Sequence, residues 1–236
     1  MPEKQIHALA SPRQQDSVVV FVIERIKEAL INKELQAGDY LPSEAELTQS
    51  LGVSKTSVRE AIKMLQAMGI VEVRRGQRTL IREHPGEDSI NPMLFQLLVE
   101  KGTTKDIVDF RMMFEPAYAL MAMERATEED IENIRKTLER FEITIEKGLP
   151  TAEDDLAFHR AILESTHNPF VIRTGTTILQ LFKASIGRSV QDHPQVALED
   201  HKRIFTAFCA KDEHQLREAI IKSFERWKAF LEGVTT

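Results

Sequence analysis

Residues 52–71 read GVSKTSVREAIKMLQAMGIV, and few folds accommodate that order of residues. Gly52 permits a tight turn, and Ser54 is placed to cap a helix running from residue 55 to about 68. Val58, Ile62 and Leu65 fall on one face of that helix with Ala61 beside them, and Gly69 is a natural stop. Its first turns gather Ser54, Lys55, Thr56, Ser57 and Arg59. Short hydroxyls and two cations four residues apart therefore stand where free N–H groups and the helix dipole favour phosphate.

The flanking sequence completes a pattern. Apolar residues at 19, 22, 23, 26 and 30 predict a helix over 18–30. In AGDYLPSEAELTQS, Gly38-Asp39 reads as a turn, and Ser43 with Glu46 fits a capping box that opens a short helix to about residue 50. VEVRRGQRTLI alternates apolar and polar on both sides of Gly76-Gln77, which predicts a two-stranded hairpin carrying Arg74, Arg75 and Arg78. Helix, short helix, tight turn, helix, hairpin is the order of a winged helix-turn-helix, whose second paired helix enters the major groove. The candidate DNA contacts are Ser43, Ser54, Lys55, Thr56, Ser57 and Arg59, with Arg74, Arg75 and Arg78 holding phosphate or the minor groove from the wing.

A net charge of −6 argues against nucleic acid only until its distribution is examined. Residues 1–85 carry a balance of +1 and the rest −7, so the acidic excess lies in the second part. One cysteine, Cys209, excludes an internal disulfide, and the N-terminus lacks the apolar core of a secretory signal. No apolar run approaches the roughly 18 residues of a membrane span. The expectation is a cytoplasmic protein without membrane contact.

The texture changes at REHPGEDSINP, giving an expected DNA-binding domain at 17–82, a linker at 83–92 and a second domain at 93–233. Helical periodicity recurs near 92–100, 104–125, 127–147, 151–166, 168–190, 195–211 and 213–232. Thr103, Thr127, Thr151 and Asp212 stand where caps belong, and Pro150, Pro169 and Pro194 where helices begin or break. The fold class is mainly α: a winged helix-turn-helix followed by an antiparallel bundle of six or seven helices, an architecture that commonly holds ligands between facing helices.

Three features of the bundle carry chemistry. Asp155 and His159 are four apart and share a helix face, His201 lies among apolar residues on a later helix, and Arg111 interrupts a strongly apolar stretch. Asp and neutral imidazole suit Zn²⁺ or Ni²⁺. The same pair equally fits an ordinary ion pair, and Arg111 an internal partner of Glu115. No nucleophile or general base stands out beyond these residues and nothing resembles a nucleotide loop, so the reading is not an enzyme. A metalloenzyme with a DNA-binding head and a bundle serving only for dimerisation are the competing classes.

The first half, AGDYLPSEAELTQSLGVSKTSVREAIKMLQAMGIVEVRRGQRTLI, resembles the GntR-type winged helix. Lys55 stands where that family often has Arg, Ala45 where some members have Arg, and Arg78 replaces the second wing glycine. The second half, with DLAFH, STHNPF and EDHKRIFTAFCAKD, resembles the FCD ligand-binding domain of the FadR subfamily. The resemblance implies a metal held by Asp155, His159 and His201; the family's fourth ligand falls on Ser223, leaving either a three-ligand site completed by water and effector or a site that has lost its metal. It also implies that Arg111 forks an effector carboxylate, and that Asn168 contacts the effector or orients a ligand. The expected protein is a homodimeric, metabolite-responsive regulator, a repressor by family habit, whose affinity for a two-fold symmetric operator is set by a small hydroxy acid or sugar acid.

Overall fold

The computed structural model describes residues 17–74, 78–84, 86 and 90–231, with Thr104, Phe230 and Leu231 described by backbone alone. Arg75, the Gly76-Gln77 pair, four residues of the 83–92 linker, the first sixteen residues and the last five lie outside this set. The chain divides into two compact units that meet between Pro92 and Met93.

The first unit holds α1 (Val18–Ile31), α2 (Glu44–Leu51), α3 (Lys55–Ala67), β1 (Val71–Glu72) and β2 (Leu80–Ile81). Each start has a local cause. Ser43 Oγ accepts from Glu46 N while Glu46 Oε2 accepts from Ser43 N, closing the capping box of α2. Ser54 Oγ accepts from Ser57 N and caps α3. Between them Gly52 takes φ +65°, the left-handed conformation that turns the chain into the second helix. The expected stripe of Val58, Ala61, Ile62 and Leu65 is buried together with Val22, Ile26, Leu41 and Leu47. The strands pair antiparallel, Val71 against Ile81 and Glu72 against Leu80. Tyr40 bridges Leu80 from the outside, and Leu41 N donates to Thr79 O, so the segment between α1 and α2 also closes on the hairpin.

The second unit is helical: α4 (Pro92–Val99), α5 (Thr104–Arg125), α6 (Glu128–Glu146), α7 (Ala152–Glu164), α8 (Pro169–Asp192), α9 (Pro194–Cys209) and α10 (Glu213–Leu231). Three starts share the sequence T-x-x-D. Asp106, Asp130 and Asp154 each accept from the backbone N–H of a threonine three residues earlier, while that threonine's hydroxyl accepts from the aspartate's N–H. Asp212 Oδ1 accepts from Gln215 N at the start of α10, and Pro169 and Pro194 occupy first-turn positions of α8 and α9.

Phe141, Phe158, Phe182, Phe208, Leu163 and Ile220 fill the core of an antiparallel bundle. α4 contributes no buried residue, so six helices build that core. Among the described residues no helix is long and apolar enough to cross a membrane.

The crossing of α7 and α8 is set by Gly175. A Cβ there would stand 2.5 Å and 2.6 Å from the two methyls of Leu163, which is fully buried. Gly175→Ala should therefore destabilise the second unit by about 1–3 kcal/mol through overpacking, seen as an earlier helical transition in denaturant. An unchanged midpoint would mean that the two helices separate at that crossing at no cost.

Candidate functional site

Helix geometry assembles the site from residues one turn apart on three helices. Asp155 and His159 lie in successive turns of α7, Arg111 and Glu115 in successive turns of α5, and His201 in the middle of α9. All five are buried, with Arg111 5%, Asp155 7%, His159 3% and His201 2% exposed. His159 Nε2 is 3.2 Å from His201 Nε2 and 3.6 Å from Asp155 Oδ1; His201 Nε2 is 3.4 Å from Asp155 Oδ2. Ligands held tetrahedrally at about 2.0–2.1 Å from zinc stand about 3.3–3.4 Å apart, so the spacing suits a cation. Asp155 Oδ1 is buried without a hydrogen-bond partner.

The protonation pattern follows from Arg111. Its guanidinium has only donors, and Nη2 lies 3.1 Å from His159 Nε2. That nitrogen is therefore the acceptor, and the ring proton belongs on Nδ1, which faces Glu115 Oε1 at 2.9 Å. Glu115 Oε2 accepts from Arg111 Nε at 3.0 Å. One carboxylate thus stands against both groups, hydrogen-bonded to the guanidinium and within ion-pair distance of the imidazole, the place an outer-shell carboxylate takes beside a metal-binding histidine.

Burial opposes the charge of Glu115, yet His159 and Arg111 beside it hold its carboxyl down to about 2. The same two groups pull on Asp155, but there burial outweighs them and pushes the carboxyl up. Burial, then His159, pushes His201 well below its usual value, so it is a neutral imidazole at neutral pH. His201 also stacks on Phe158, 4.3 Å between centroids. Arg111 is enclosed by rings, its Cζ 5.4 Å, 5.0 Å and 5.1 Å from the centroids of Phe182, Phe224 and Trp227.

A cavity of about 300 Å³ opens on this cluster and is lined by Arg111, Asp155, His159, His201 and Ser223, among others. Ser223 thus faces the same space as the three metal-ligand candidates. Asn168 is not among the lining residues: its side-chain oxygen accepts from Phe170 N and Val171 N and caps α8. Its side-chain oxygen thus serves the start of α8. Glu115 was visible beforehand only as a partner for Arg111; the ring cage had no signal in the sequence.

On the first unit, Lys55, Thr56 and Arg59 are exposed on the first turns of α3, whereas Ser43 and Ser54 spend their hydroxyls as caps. Ser57 Oγ is 2.8 Å from Ser54 Oγ. Arg59 Nε donates to Glu44 Oε2 at 2.8 Å, a partner fifteen residues away. Arg74 donates to Glu72 through Nε at 2.7 Å, and Arg78 is exposed.

Comparison with known proteins agrees with this architecture. The model of the bacterial regulatory proteins of the gntR family matches residues 19–81, and that of the FCD domain matches residues 106–226. The chain is similar to the HTH-type transcriptional regulator LutR of Bacillus subtilis, 29% identical over 209 residues, covering 86% of this chain and 95% of the relative. It is also similar to the Uxu operon transcriptional regulator of Escherichia coli, 29% identical with 86% and 82% covered. The HTH-type transcriptional repressor NanR of Escherichia coli is 26% identical over 237 residues, with 95% and 89% covered. In fold, a solved GntR structure from Streptococcus agalactiae superposes with a TM-score of 0.61 at 22% identity, covering 89% of this chain and 98% of that one. These relatives are transcription regulators rather than enzymes. The chain belongs to the GntR family of bacterial regulatory proteins, with an FCD domain as its second half.

Proposed function

We propose that this transcriptional regulator is a metabolite-responsive repressor whose operator affinity is set by a small carboxylate bound in the FCD cavity beside a divalent cation, Zn²⁺ or Ni²⁺. The DNA-binding domain spans 17–82, the linker 83–92 and the effector domain 93–233. The protein acts in the cytoplasm as a homodimer on a two-fold symmetric operator, because paired half-sites match the symmetry of paired heads. Lys55, Thr56, Ser57 and Arg59 read the groove, with Arg74, Arg75 and Arg78 on the wing backbone contacts. Effector binding favours one arrangement of the domains over another, and the difference in affinity between the two arrangements is the signal.

The observation that carries the effector reading is an unmatched buried charge beside convergent lone pairs. Arg111 is already balanced by Glu115, while Asp155 is buried with Oδ1 unpartnered. A second carboxylate entering that floor alone would be repelled. Asp155, His159 and His201 are the residues that would hold a metal, with Ser223 leaving the family's fourth position open. A bound cation supplies the missing positive charge and an open coordination position. With the His159 Nε2 lone pair engaged by a cation, Arg111 Nη2 would be without its present acceptor and free to donate to an effector's carboxylate. Metal and acid therefore assist one another's binding.

Purified protein should carry one metal per chain. Removing it with a chelator should lower the thermal midpoint by several degrees, since a ligand at about 100 times its Kd adds about 2.7 kcal/mol. The effector acid should then bind more weakly, and His159→Ala and His201→Ala should bind no metal. Acid affinity that survives chelation unchanged would assign recognition to Arg111 alone.

On the DNA side, Arg59→Ala should weaken binding to a selected operator about 5- to 150-fold, the worth of one good base contact of about 1–3 kcal/mol, with unfolding unaltered. Equal affinity would remove Arg59 from the groove. Glu44 engages Nε of Arg59, whose side chain stays largely exposed. Glu44→Gln should therefore reduce discrimination between operator and random DNA more than it changes random-DNA affinity. A uniform gain on all DNA would show that Glu44 acts only as a negative charge.

A further inference from the structure

The outward face of the hairpin carries a row of side chains to which the preceding reading gives no duty. Val71 and Ile81 pair across the strands and are buried, so Glu72 and Leu80, the next pair, point to the opposite face. Tyr40 bridges Leu80 from the other side, flanked by the bonds from Leu41 N to Thr79 O and from Ile81 N to Asp39 O. Residues so opposed share a face, and Tyr40, Leu80 and Glu72 therefore form one row across three strands. Leu41 beside it is fully buried, whereas Tyr40 is 48% exposed. Its hydroxyl makes no hydrogen bond among the described residues.

That row adjoins the starts of α2 and α3. Tyr40 stands three residues before Ser43, the cap of α2, a reach of at most about 11 Å, and Glu44 in the next position holds Arg59 of α3. Hydrogen bonds from Ser43 hold the Glu46 carboxyl below its usual range and Arg78 adds to that pull, which places the wing arginine near the first turn of α2. The carboxylates of this surface are engaged: Glu72 by Arg74, Glu44 by Arg59 and Glu46 by the Ser43 N–H. Lys55 and Arg78 are exposed, and a surface whose acids are paired while cations face solvent favours a polyanion.

We infer that the Tyr40 hydroxyl donates to a backbone phosphate of the bound duplex, anchoring the protein beside the groove that α3 enters. The inference rests on the DNA reading above and extends it to a residue outside the helix pair and the wing arginines. Tyrosine hydroxyls are among the ordinary donors to DNA phosphates, and such contacts fix register without reading sequence. The ring has Leu80 as its cross-strand neighbour, and a tyrosine carries few torsions to immobilise. The hydroxyl is thus presented from a fixed strand at low entropic cost. It also adds affinity without adding charge, so the contact outlasts an arginine's as salt rises.

Binding of the full chain to an operator selected from random-sequence duplexes, and to random duplex, over a range of salt concentrations tests this. Tyr40→Phe keeps the ring against Leu80 and removes only the hydroxyl, so its unfolding curve should overlay that of the parent. It should weaken binding to both duplexes by the same factor, about 3- to 10-fold, the worth of one hydrogen bond. The salt slope should stay the same, because no charge is lost. Unchanged affinity in Tyr40→Phe, beside weakened binding in Arg59→Ala, overturns the inference and leaves the groove reading standing. A loss confined to the operator also overturns it, since a backbone contact forms on any sequence. So does a shallower salt slope, which would trace the loss to displaced arginines. Unchanged affinity in both variants overturns the inference and the groove reading together.

Discussion

The second half of the molecule depends on a buried guanidinium. A cation removed from water is tolerated only when its charge and its donors are met, and Arg111 meets those conditions by drawing on four helices. Glu115 on its own helix takes Nε, His159 on α7 takes Nη2, and rings from α8 and α10 cover its faces. Removing one partner from such a group costs about 3–5 kcal/mol. The guanidinium is thus a keystone of the bundle as well as the proposed anion fork.

That double duty ties recognition to packing. The contacts that position α5 against α7 run through the same imidazole whose lone pair faces the candidate metal, so a change in what His159 binds is a change in what Arg111 holds. A ligand need not push on a distant element to be felt; it competes for hydrogen bonds that already join helices. The winged helix uses the same economy on a smaller scale. Glu44 of α2 and Arg59 of α3 form an ion pair across the turn at Gly52, so the geometry of that turn also sets the direction of an arginine on the second helix of the pair.

Local chemistry was legible in the sequence wherever partners lie within four residues. The capping box at Ser43 and Glu46, the threonine caps at 103, 127 and 151, the stripe on α3 and the pairs Asp155–His159 and Arg111–Glu115 all have that reach. What no spacing revealed is that the two pairs meet each other, because the meeting depends on how α5, α7 and α9 cross, and the crossing of α7 with α8 turns on a single absent side chain at Gly175. Ser223 was placed by resemblance alone and does face the cavity. Asn168, placed by the same reasoning, caps α8 and is not among the residues lining that cavity. Tyr40 at the hairpin, the Glu44–Arg59 pair and Trp227 are long-range facts with no short-range signature.

Asp155 lies in the first turns of α7, immediately after Asp154, whose carboxylate closes the cap on Thr151. Adjacent carboxylates thus face different tasks, one fastening the helix start and the other serving the cavity. An N-cap hydroxyl contributes about 1 kcal/mol to the order of such a start, and any fraying there would carry Asp155 away from His159 and His201. In a sensor built this way, the concentration at which it responds becomes adjustable from outside the binding site: drift at Thr151 could retune the threshold while every residue that meets the ligand stays the same.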